Sequence, residues 1–476
     1  MLSSNSFDAE RCQHVAEGLR RVGYHPAEAA GARSATWRVS PKPLTLPHGY
    51  VEWLQTLGRH LHAFNRALDD LYLDSVCGRE PEWIARYLEQ GKPESLVRYG
   101  RTRQVRRSCP TVIRPDVIPT PTGMLITELD AVPGGMGIIA CLYEIYRALG
   151  FHLIADDVPL PGAFAAMVEA VAGAEAPRLA IVVSDESASY RSEMAYLAEK
   201  LTEYGISARA VAPEDLRYSD SSVAVEGASG EVEVDVVYRF FELFDLPNVA
   251  NAELLMRLNA RNRVAVVPPF RAFFEEKLAM GMLHHPVLAP RWEKGLGNAG
   301  FTFLKECFAP TWILDPAPVP PYAAIPGLTA GGAAVNSWDR LKDLGRRQRE
   351  FVIKPSGFSE RAWGSRGVIV GHDISTPEWN AALEQALASF VETPHVLQEF
   401  RTGRQFEGLF YDTAAGAMRT IPCRARLSPY FLATDEDIRL TAVMATLCPL
   451  DKKKIHGMPE AIIVPCAVEE TDGTEL

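Results

Sequence analysis

The chain has 476 residues, of which 47% are hydrophobic and 23% charged, and its net charge is −11 at pH 7. This composition is typical of a globular protein of about two to four domains, and it excludes disorder, collagen and coiled coil as descriptions of the whole chain. The acidic balance argues against a nucleic-acid partner, because such binding relies on basic side chains that neutralise phosphates.

The cysteines and the hydropathy pattern predict a cytoplasmic protein. Eight cysteines are spread along the chain without a CxxC pair or zinc-finger spacing, so we expect reduced thiols. The first residues lack the apolar core of a signal peptide. No run of about 18 apolar residues occurs, so we expect no membrane partner. The sequence leaves open whether the protein forms a homo-oligomer.

Residues 1–105 are predicted to form a helical N-terminal region. Apolar residues recur every three or four positions over Tyr50–Leu73, which is the period of an amphipathic helix. Pro81–Gln90 and Pro93–Tyr99 are expected to be two shorter helices with proline in the first turn. No pattern in this region indicates chemistry, so we expect it to serve as a scaffold.

Residues 106–175 are predicted to contain a β-hairpin. Thr111–Pro119 forms one arm, Pro121-Thr122-Gly123 the turn, and Met124–Asp130 the other arm. A glycine-rich loop at 132–137 and a helix over Ile138–Leu149 follow.

Residues 176–300 are predicted to form a Rossmann-like layer. The continuous apolar run RLAIVV, from residue 178, is typical of a parallel strand buried on both faces. A helix over Ser189–Tyr204 and a strand over Ile206–Ala212 complete a β-α-β unit. Strands at Val232–Tyr238 and Val264–Val267 and a helix over Arg271–Met282 are expected to follow.

Residues 301–400 are predicted to be a small lobe with a glycine-rich loop, and residues 401–476 the rest of the core. The lobe is expected to contain a charged helix, a strand that leads into the loop SGFSERAWGSRG, and a return strand. A helix and a further strand come next. Those elements are assigned to Trp338–Gln348, Phe351–Lys354, Val368–Val370, Glu378–Val391 and Val396–Phe400. Strands at Gln405–Tyr411, Met418–Cys423 and Ala461–Val464 are expected in the final segment.

The hairpin carries the first candidate site. With a three-residue turn, simple antiparallel register places Asp116 opposite Glu128. Asp130 shares the strand face of Glu128, and Arg114 that of Asp116, because strand faces repeat every two residues. Carboxylates that converge in this way repel one another unless a cation lies among them, and oxygen ligands suit Mg²⁺. The alternative is a solvated hairpin face with scattered charge.

A second candidate site is Lys354 with the loop that follows it. One lysine charge and backbone N–H groups around Ser356, Gly357, Gly364 and Gly367 can hold a phosphate chain. The loop has neither Walker nor GxGxxG order, and a plain surface hairpin is an equally good interpretation.

Two further features each have a functional and a structural interpretation. Lys277 lies early in a predicted helix after a Pro-Pro break, where a solvated lysine is the alternative. Gln398, Glu399 and Phe400 close an apolar strand, where they can offer groups to a purine and a ribose. The alternative for that triplet is an ordinary strand end.

Together these pieces resemble the circularly permuted ATP-grasp superfamily, as in the glutathionylspermidine synthetase-like group. The order is informative, because RPD (114–116) and ELD (128–130) precede Lys277, FVIKPS (351–356) and QEF (398–400). DVVYRFFEL (235–243) and FLKECFAPTWIL (303–314) are similar to further segments of that group. Asp130 stands where the group often carries Asn.

The resemblance implies a mixed α/β ATP-grasp fold in permuted order, with the Rossmann-like layer and the helical N-terminal region beside it. It implies an ATP- and Mg²⁺-dependent ligase that joins a small-molecule or peptide carboxylate to an amine through an acyl phosphate. The alternative is an ATP-grasp-like protein that binds nucleotide without ligase turnover, as a sensor or partner subunit.

The resemblance also assigns roles to the candidate residues. Asp116, Glu128 and Asp130 would bind Mg²⁺, whereas Lys277 and Lys354 would hold the phosphates. Glu399 and its neighbours would bind adenosine, and the 356–367 loop would close over ATP. The loop at 132–137 would bind the acceptor's carboxylate. The catalytic candidates are Arg114, which would meet the transferred phosphoryl group, and Arg424 and Arg426, which would contact phosphate or substrate.

Overall fold

The computed structural model describes residues 4–24, 37–227, 230–320, 323–434, 437–456 and 460–469. Its helices are α1 (Ser4–Arg20), α2 (His48–Val76), α3 (Glu82–Glu89), α4 (Glu94–Gly100), α5 (Met136–Ala148), α6 (Leu160–Ala172), α7 (Arg191–Thr202), α8 (Ala252–Ala260), α9 (Leu278–His284), α10 (Ala289–Cys307) and α11 (Thr376–Ala388).

Its strands are β1 (Leu44–Leu46), β2 (Val112–Thr120), β3 (Gly123–Asp130), β4 (Arg178–Val183), β5 (Ser207–Val211), β6 (Arg217–Tyr218), β7 (Val223–Gly227), β8 (Gly230–Val234), β9 (Val236–Phe240), β10 (Ala265–Val267), β11 (Thr311–Ile313), β12 (Thr329–Ala330), β13 (Ala333–Ala334), β14 (Phe351–Pro355), β15 (Ile369–Val370), β16 (His395–Glu399), β17 (Gln405–Asp412), β18 (Ala417–Ala433), β19 (Ile438–Pro449) and β20 (Ile462–Val468).

The largest sheet joins distant parts of the sequence. Its seven strands run in the order β1-β20-β19-β18-β2-β3, with β17 paired to β18. The predicted hairpin is therefore continuous with the C-terminal strands, and the helical N-terminal region contributes β1. Helices α1, α2, α5 and α6 pack against this sheet and bury one extended apolar core. The hairpin, with its charged residues, forms the β2–β3 end of this sheet.

The Rossmann-like layer is a parallel sheet in the order β10-β9-β4-β5. The burial of β4 explains its continuous apolar sequence, since a parallel strand covered on both faces has no side for water. The predicted β-α-β unit is thus present as β4, α7 and β5.

The small lobe is an antiparallel sheet in the order β11-β16-β14-β15. It has its own core, which includes Leu341, Trp379 and Leu397. The helix predicted over Trp338–Gln348 is wrong, because only 3-10 turns form at Trp338–Leu341 and Arg346–Gln348. Extended backbone at Gly345 breaks the helical path between them.

The helix predicted over Arg271–Met282 is also interrupted. A 3-10 turn over Ala272–Glu275 ends at Glu276, whose backbone is extended (φ −103°, ψ 127°), and α9 begins only at Leu278. Among the described residues, no helix is long and apolar enough to cross a membrane.

Candidate active site

The three layers surround a cavity of about 860 Å³. One wall is the β2–β3 hairpin with the loop after it, and a second is formed by β18 and β19. Residues 357–359 and 362–366 of the glycine-rich loop cover the cavity, and side chains from the Rossmann-like layer complete it. Of the predicted residues, Arg114, Asp116, Glu128, Asp130, Lys277, Gly357, Gly364 and Arg426 line it.

The hairpin pairs Asp116 with Glu128 as predicted, but its turn differs from the predicted one and it contains a bulge. The turn contains two residues rather than three, because Thr120 pairs with Gly123. A β-bulge at Thr127 then shifts the register by one residue, so that Asp116 does lie opposite Glu128 and Arg114 opposite Asp130. The expected juxtaposition is confirmed, although the turn assignment behind it is wrong.

Two guanidinium groups neutralise Asp116. Arg426 Nη1 lies 2.9 Å from Asp116 Oδ2, and Arg114 Nη2 lies 3.6 Å from Oδ1. Ser428 Oγ donates a hydrogen bond to Oδ1 at 3.4 Å. Arg426 and Ser428 lie two residues apart on β18, so the same strand face presents both to the carboxylate.

Arg114 also binds the end of the hairpin. Its Nη2 lies 2.9 Å from Asp130 Oδ2, and its Nη1 donates to the Gly134 carbonyl at 3.1 Å. Burial opposes the charge on Arg114, but Asp130 and Asp116 outweigh it and raise the arginine pKa. Burial raises the pKa of Asp130 despite Arg114, and Asp116 and Glu128 add to the rise.

Glu128 is the carboxylate that the lysines hold ionised. Lys277 Nζ lies 2.7 Å from Glu128 Oε1. Burial favours the neutral carboxyl, but Lys277 and Lys354 outweigh it and lower the pKa of Glu128 to about 2. The pKa of Lys277 is raised, because Glu128 more than offsets its burial.

Lys354 approaches this network from behind the cavity wall. It is buried on β14, and its Nζ donates to the carbonyl of the bulged residue Thr127 at 3.0 Å. Burial and the charge of Lys277 lower its pKa, whereas Glu128 and Asp116 oppose that shift. The bulge therefore aligns Asp116 with Glu128 and also supplies the acceptor that holds Lys354 beside them.

The carboxylates are paired with basic groups rather than gathered around an ion-sized space. Within the described ranges, no group of three or more His, Cys, Asp or Glu residues is arranged to hold a metal ion. The donor set nevertheless consists of carboxylate oxygens, which Mg²⁺ prefers, and all three acids line one cavity. Mg²⁺ binding would require these acids to exchange their basic partners.

The glycine-rich loop at 132–137 has a different partner from the one we expected. Glu193, which is fully buried on α7, accepts hydrogen bonds from Gly135 N at 2.8 Å and Ile138 N at 3.2 Å. A side chain on Gly137 would overlap the Glu193 backbone. Glu193 therefore occupies the amides of Gly135 and Ile138, and the expectation that the loop binds the acceptor's carboxylate stays a prediction.

Burial of Glu193 has an electrostatic consequence. Burial raises its pKa to about 7, although the hydrogen bonds from Gly135 and Ile138 oppose that rise. The Glu193 side chain accepts hydrogen bonds at the start of α5, where helix amides lack intrahelical partners.

The loop over the cavity is held in place by contacts with two other parts of the site. Lys277 Nζ donates to the Ala362 carbonyl at 3.2 Å. Arg366 Nη1 lies 2.6 Å from Glu186 Oε1, and the ring centroid of Trp363 lies 6.0 Å from that of Tyr190. The loop thus lies over the carboxylates.

Like Lys354, six other predicted site residues do not line the cavity. Ser356 is buried and its Oγ accepts a hydrogen bond from Leu278 N at the start of α9, and a side chain on Gly367 would overlap Pro355 and the Arg361 carbonyl. Gln398 Nε2 donates to Thr311 Oγ1 at 3.1 Å, Glu399 pairs with Arg401, and Phe400 stacks edge-on with His372. Arg424 Nη1 donates to the Leu450 carbonyl at 2.9 Å. Their proposed roles rest on the resemblance alone.

Glu242 and Glu275 are cavity acids that sequence reasoning missed. Glu275 Oε1 lies 2.6 Å from buried Arg239, whereas burial and the neighbouring Glu275 raise the pKa of Glu242. Glu242 lies in the segment 235–243 that carried the resemblance, and no local spacing set Glu242 or Glu275 apart. Tyr190 and Trp363 were missed for the same reason.

Comparison with known proteins supports the fold. No protein-family model and no curated protein matches the chain. Among solved structures, the chain is similar to a glutathione synthetase-like effector from Globodera pallida in its apo form, with a TM-score of 0.58 and 10% identity over 97% of each chain. The predicted mixed α/β, ATP-grasp-like fold is thereby confirmed over nearly the whole length.

Two further matches are more distant. A putative gamma-glutamylcysteine synthetase from Methylobacillus flagellatus has a TM-score of 0.39 and 11% identity, over 87% of this chain and 86% of that one. D-alanyl-alanine synthetase A from Vibrio cholerae has a TM-score of 0.27 and 11% identity, over 61% of this chain and 87% of that one. These TM-scores are too low to carry an argument.

Proposed function

We propose that the protein is an ATP-dependent carboxylate–amine ligase of the circularly permuted, glutathionylspermidine synthetase-like ATP-grasp group, acting in the cytoplasm. One observation carries the proposal. A single cavity contains the acids of the hairpin and Lys277, with Arg114 and Arg426 beside them and Lys354 directly behind. A metal–triphosphate complex would use the acidic groups to bind its cation and the basic groups to bind its phosphates.

The proposed binding step is an exchange of partners. In the structure the basic groups neutralise Asp116, Glu128 and Asp130. Phosphate oxygens would take over the guanidinium and ammonium groups, while Mg²⁺ would take over the carboxylates. Phosphate without Mg²⁺, or Mg²⁺ without phosphate, would then bind poorly. Either one alone would leave the other half of the protein's charge network buried and unpaired.

A carboxylate must be activated before an amine can attack it. As an anion it is a poor electrophile. An oxygen of the substrate carboxylate would attack the γ-phosphorus, ADP would leave, and an acyl phosphate would form. The amine nitrogen would then attack the acyl carbon and expel phosphate, losing one proton as the amide forms. When bound, Mg²⁺ would neutralise charge on the phosphates.

The protein's own residues would position and shield these steps. Lys277 and Lys354 would hold the phosphate chain, and Arg114 would meet charge that develops on the transferred group. The loop around Trp363 would keep water from the acyl phosphate. Gln398, Glu399 and Phe400, with Ser356 and the loop glycines, would support the adenosine and phosphates, and Arg424 the substrate.

Two features support the permuted order and the location. The carboxylate hairpin precedes the small lobe in sequence but shares a sheet with β17 to β20, which follow it. All eight cysteines are free thiols, as expected in the reducing cytosol.

The test is ADP formation from Mg-ATP during incubation with pools of small carboxylates, peptides and amines, followed by mass spectrometry of the product. The proposal expects ADP release that depends on both a carboxylate and an amine. ATP binding without turnover across the pools would instead support the nucleotide sensor, and absence of ATP binding would reject both functions.

A further inference from the structure

The N-terminal helical region supplies a buried charge beneath the cavity. Lys92 lies between α3 and α4, and its Nζ lies 2.6 Å from Glu276 Oε1. The two side chains are 2% and 0% exposed. Burying an ion pair costs desolvation free energy, which good geometry and further hydrogen bonds must offset.

Glu276 connects this pair to both parts of the phosphate-binding region. Its other oxygen accepts a hydrogen bond from Ser356 Oγ, which in turn accepts one from Leu278 N at 2.9 Å. Lys277 N donates to the Ser356 carbonyl at 2.9 Å. The start of the glycine-rich loop and the backbone that carries Lys277 are therefore bonded together through Glu276 and Ser356.

The packing leaves little freedom at this junction. A Cβ on Gly357 would overlap the Glu275 carbonyl and lie 3.0 Å from the Glu276 carboxyl. On the opposite side, a Cβ on Gly91 would overlap the Glu392 carbonyl of the small lobe. The chain around Lys92 therefore fits closely against the small lobe, and Lys92 extends from that contact to Glu276.

We propose that Lys92 is a positioning residue for the nucleotide site: by neutralising Glu276 it holds the Glu276–Ser356 junction, and thereby fixes Lys277 and the glycine-rich loop over the cavity. This inference rests on the proposed nucleotide-binding function. It gives the N-terminal helices a role in the site, although their sequence carries no motif. Without the ammonium group, the buried carboxylate of Glu276 lacks its compensating charge and the junction loosens.

The test compares Lys92→Met, Glu276→Gln and the double variant, with Kd for Mg-ATP measured by calorimetry. Each single variant leaves one buried charge uncompensated, so we expect Kd to rise about tenfold or more. The double variant removes both charges, and its amide oxygen still accepts from Ser356. We expect it to bind within about threefold of the wild-type affinity, since no uncompensated charge remains.

Arg291→Met is the matched control. Arg291 joins Asp74 of α2 and Glu80 to α10 and does not line the cavity. Its loss should lower the melting temperature while leaving the Kd for Mg-ATP unchanged. An equal rise in Kd for this variant would mean that any loosening of the N-terminal region weakens binding, and it would overturn the positioning role.

The remaining outcomes separate this inference from the proposed function. Wild-type affinity in Lys92→Met, or a double variant no better than the single variants, overturns the role of Lys92. If the single variants do not fold, Ser356→Ala removes the same junction without a charge change, and wild-type Kd in that variant overturns the inference. ATP binding without turnover rejects the ligase but leaves the Kd comparison decisive.

Discussion

The acidic and basic walls of the cavity are built in different ways. The acids Asp116, Glu128 and Asp130 belong to one hairpin, so local strand pairing fixes their relative positions. The basic wall is assembled from segments far apart in sequence, because Lys277 follows a break before α9 and Lys354 lies on β14. A local motif can therefore reveal the acidic wall, whereas tertiary packing defines the basic one.

This difference predicts different sensitivities. A change on the hairpin should remove chemistry while leaving the backbone in place, since backbone pairing sets the register. A change on the basic side should alter affinity first, because each cation is one of several around a shared anion.

The first prediction concerns the hairpin itself. Glu128→Gln should lower ADP formation by about a thousandfold, because it removes a proposed metal ligand and metal-assisted charge neutralisation contributes several kcal/mol. Glu231→Gln, on exposed β8, is the matched control and should keep full activity. Normal turnover in Glu128→Gln would remove Glu128 from the metal site.

The second prediction concerns the loop that follows the hairpin. Burial raises the pKa of Glu193 to about 7 from its usual value of 4.5. Because the folded pKa lies above the unfolded one, its stabilising contribution is complete below about pH 4.5 and is lost as the pH rises through 7. Glu193→Gln removes this titration.

Urea denaturation from pH 4.5 to 8 measures the effect. We expect the wild-type free energy of unfolding to fall by about 3 kcal/mol more than that of Glu193→Gln over this range. Glu199→Gln, at an exposed position of the same helix, should follow the wild-type curve. Parallel curves for the wild type and Glu193→Gln would show that Glu193 has an ordinary pKa in the folded protein.

The third prediction concerns the basic wall. Lys354→Met should raise the Kd for Mg-ATP about tenfold, since a hydrogen bond to a charged group contributes roughly 1.5–3 kcal/mol. Calorimetry measures the change, and Lys294→Met, on the exposed side of α10, is the control. Unchanged affinity would count against a phosphate contact by Lys354.

The fourth and smallest prediction concerns the cover of the cavity. The Arg366–Glu186 pair is partly exposed, with side chains 49% and 32% accessible, and such pairs contribute about 1 kcal/mol or less. Arg366→Ala should raise the KM for ATP by at most about fivefold, with a smaller difference at high salt. Arg361→Ala removes the same charge from the same loop but keeps the pair, and should leave KM unchanged.

These comparisons also explain which parts of the fold the sequence could predict. Amphipathic periodicity predicted α2 to within a few residues, and a continuous apolar run predicted β4, because burial on one or both faces dictates those patterns. The helix over Trp338–Gln348 failed because Gly345 interrupts a weak pattern, and β19 was missed altogether.

The site could be predicted in part for the same reason. The pairing of Asp116 with Glu128 follows from strand register, although the bulge at Thr127 that restores it leaves no clear signal in the sequence. The ion pair between Lys92 and Glu276 was beyond sequence reasoning, because the two residues are distant in sequence and meet only through tertiary packing. Glu193 likewise meets Gly135 only through tertiary packing.

The central claim is that the hairpin acids bind Mg²⁺ for a triphosphate held by Lys277 and Lys354. Calorimetric titration with ATP, in excess Mg²⁺ and again in a chelator, tests it most directly in the wild type and in Asp116→Asn. The account predicts that Mg²⁺ tightens wild-type binding about tenfold or more, and that most of this gain disappears in Asp116→Asn. Equal affinity with and without Mg²⁺ in the wild type would contradict it.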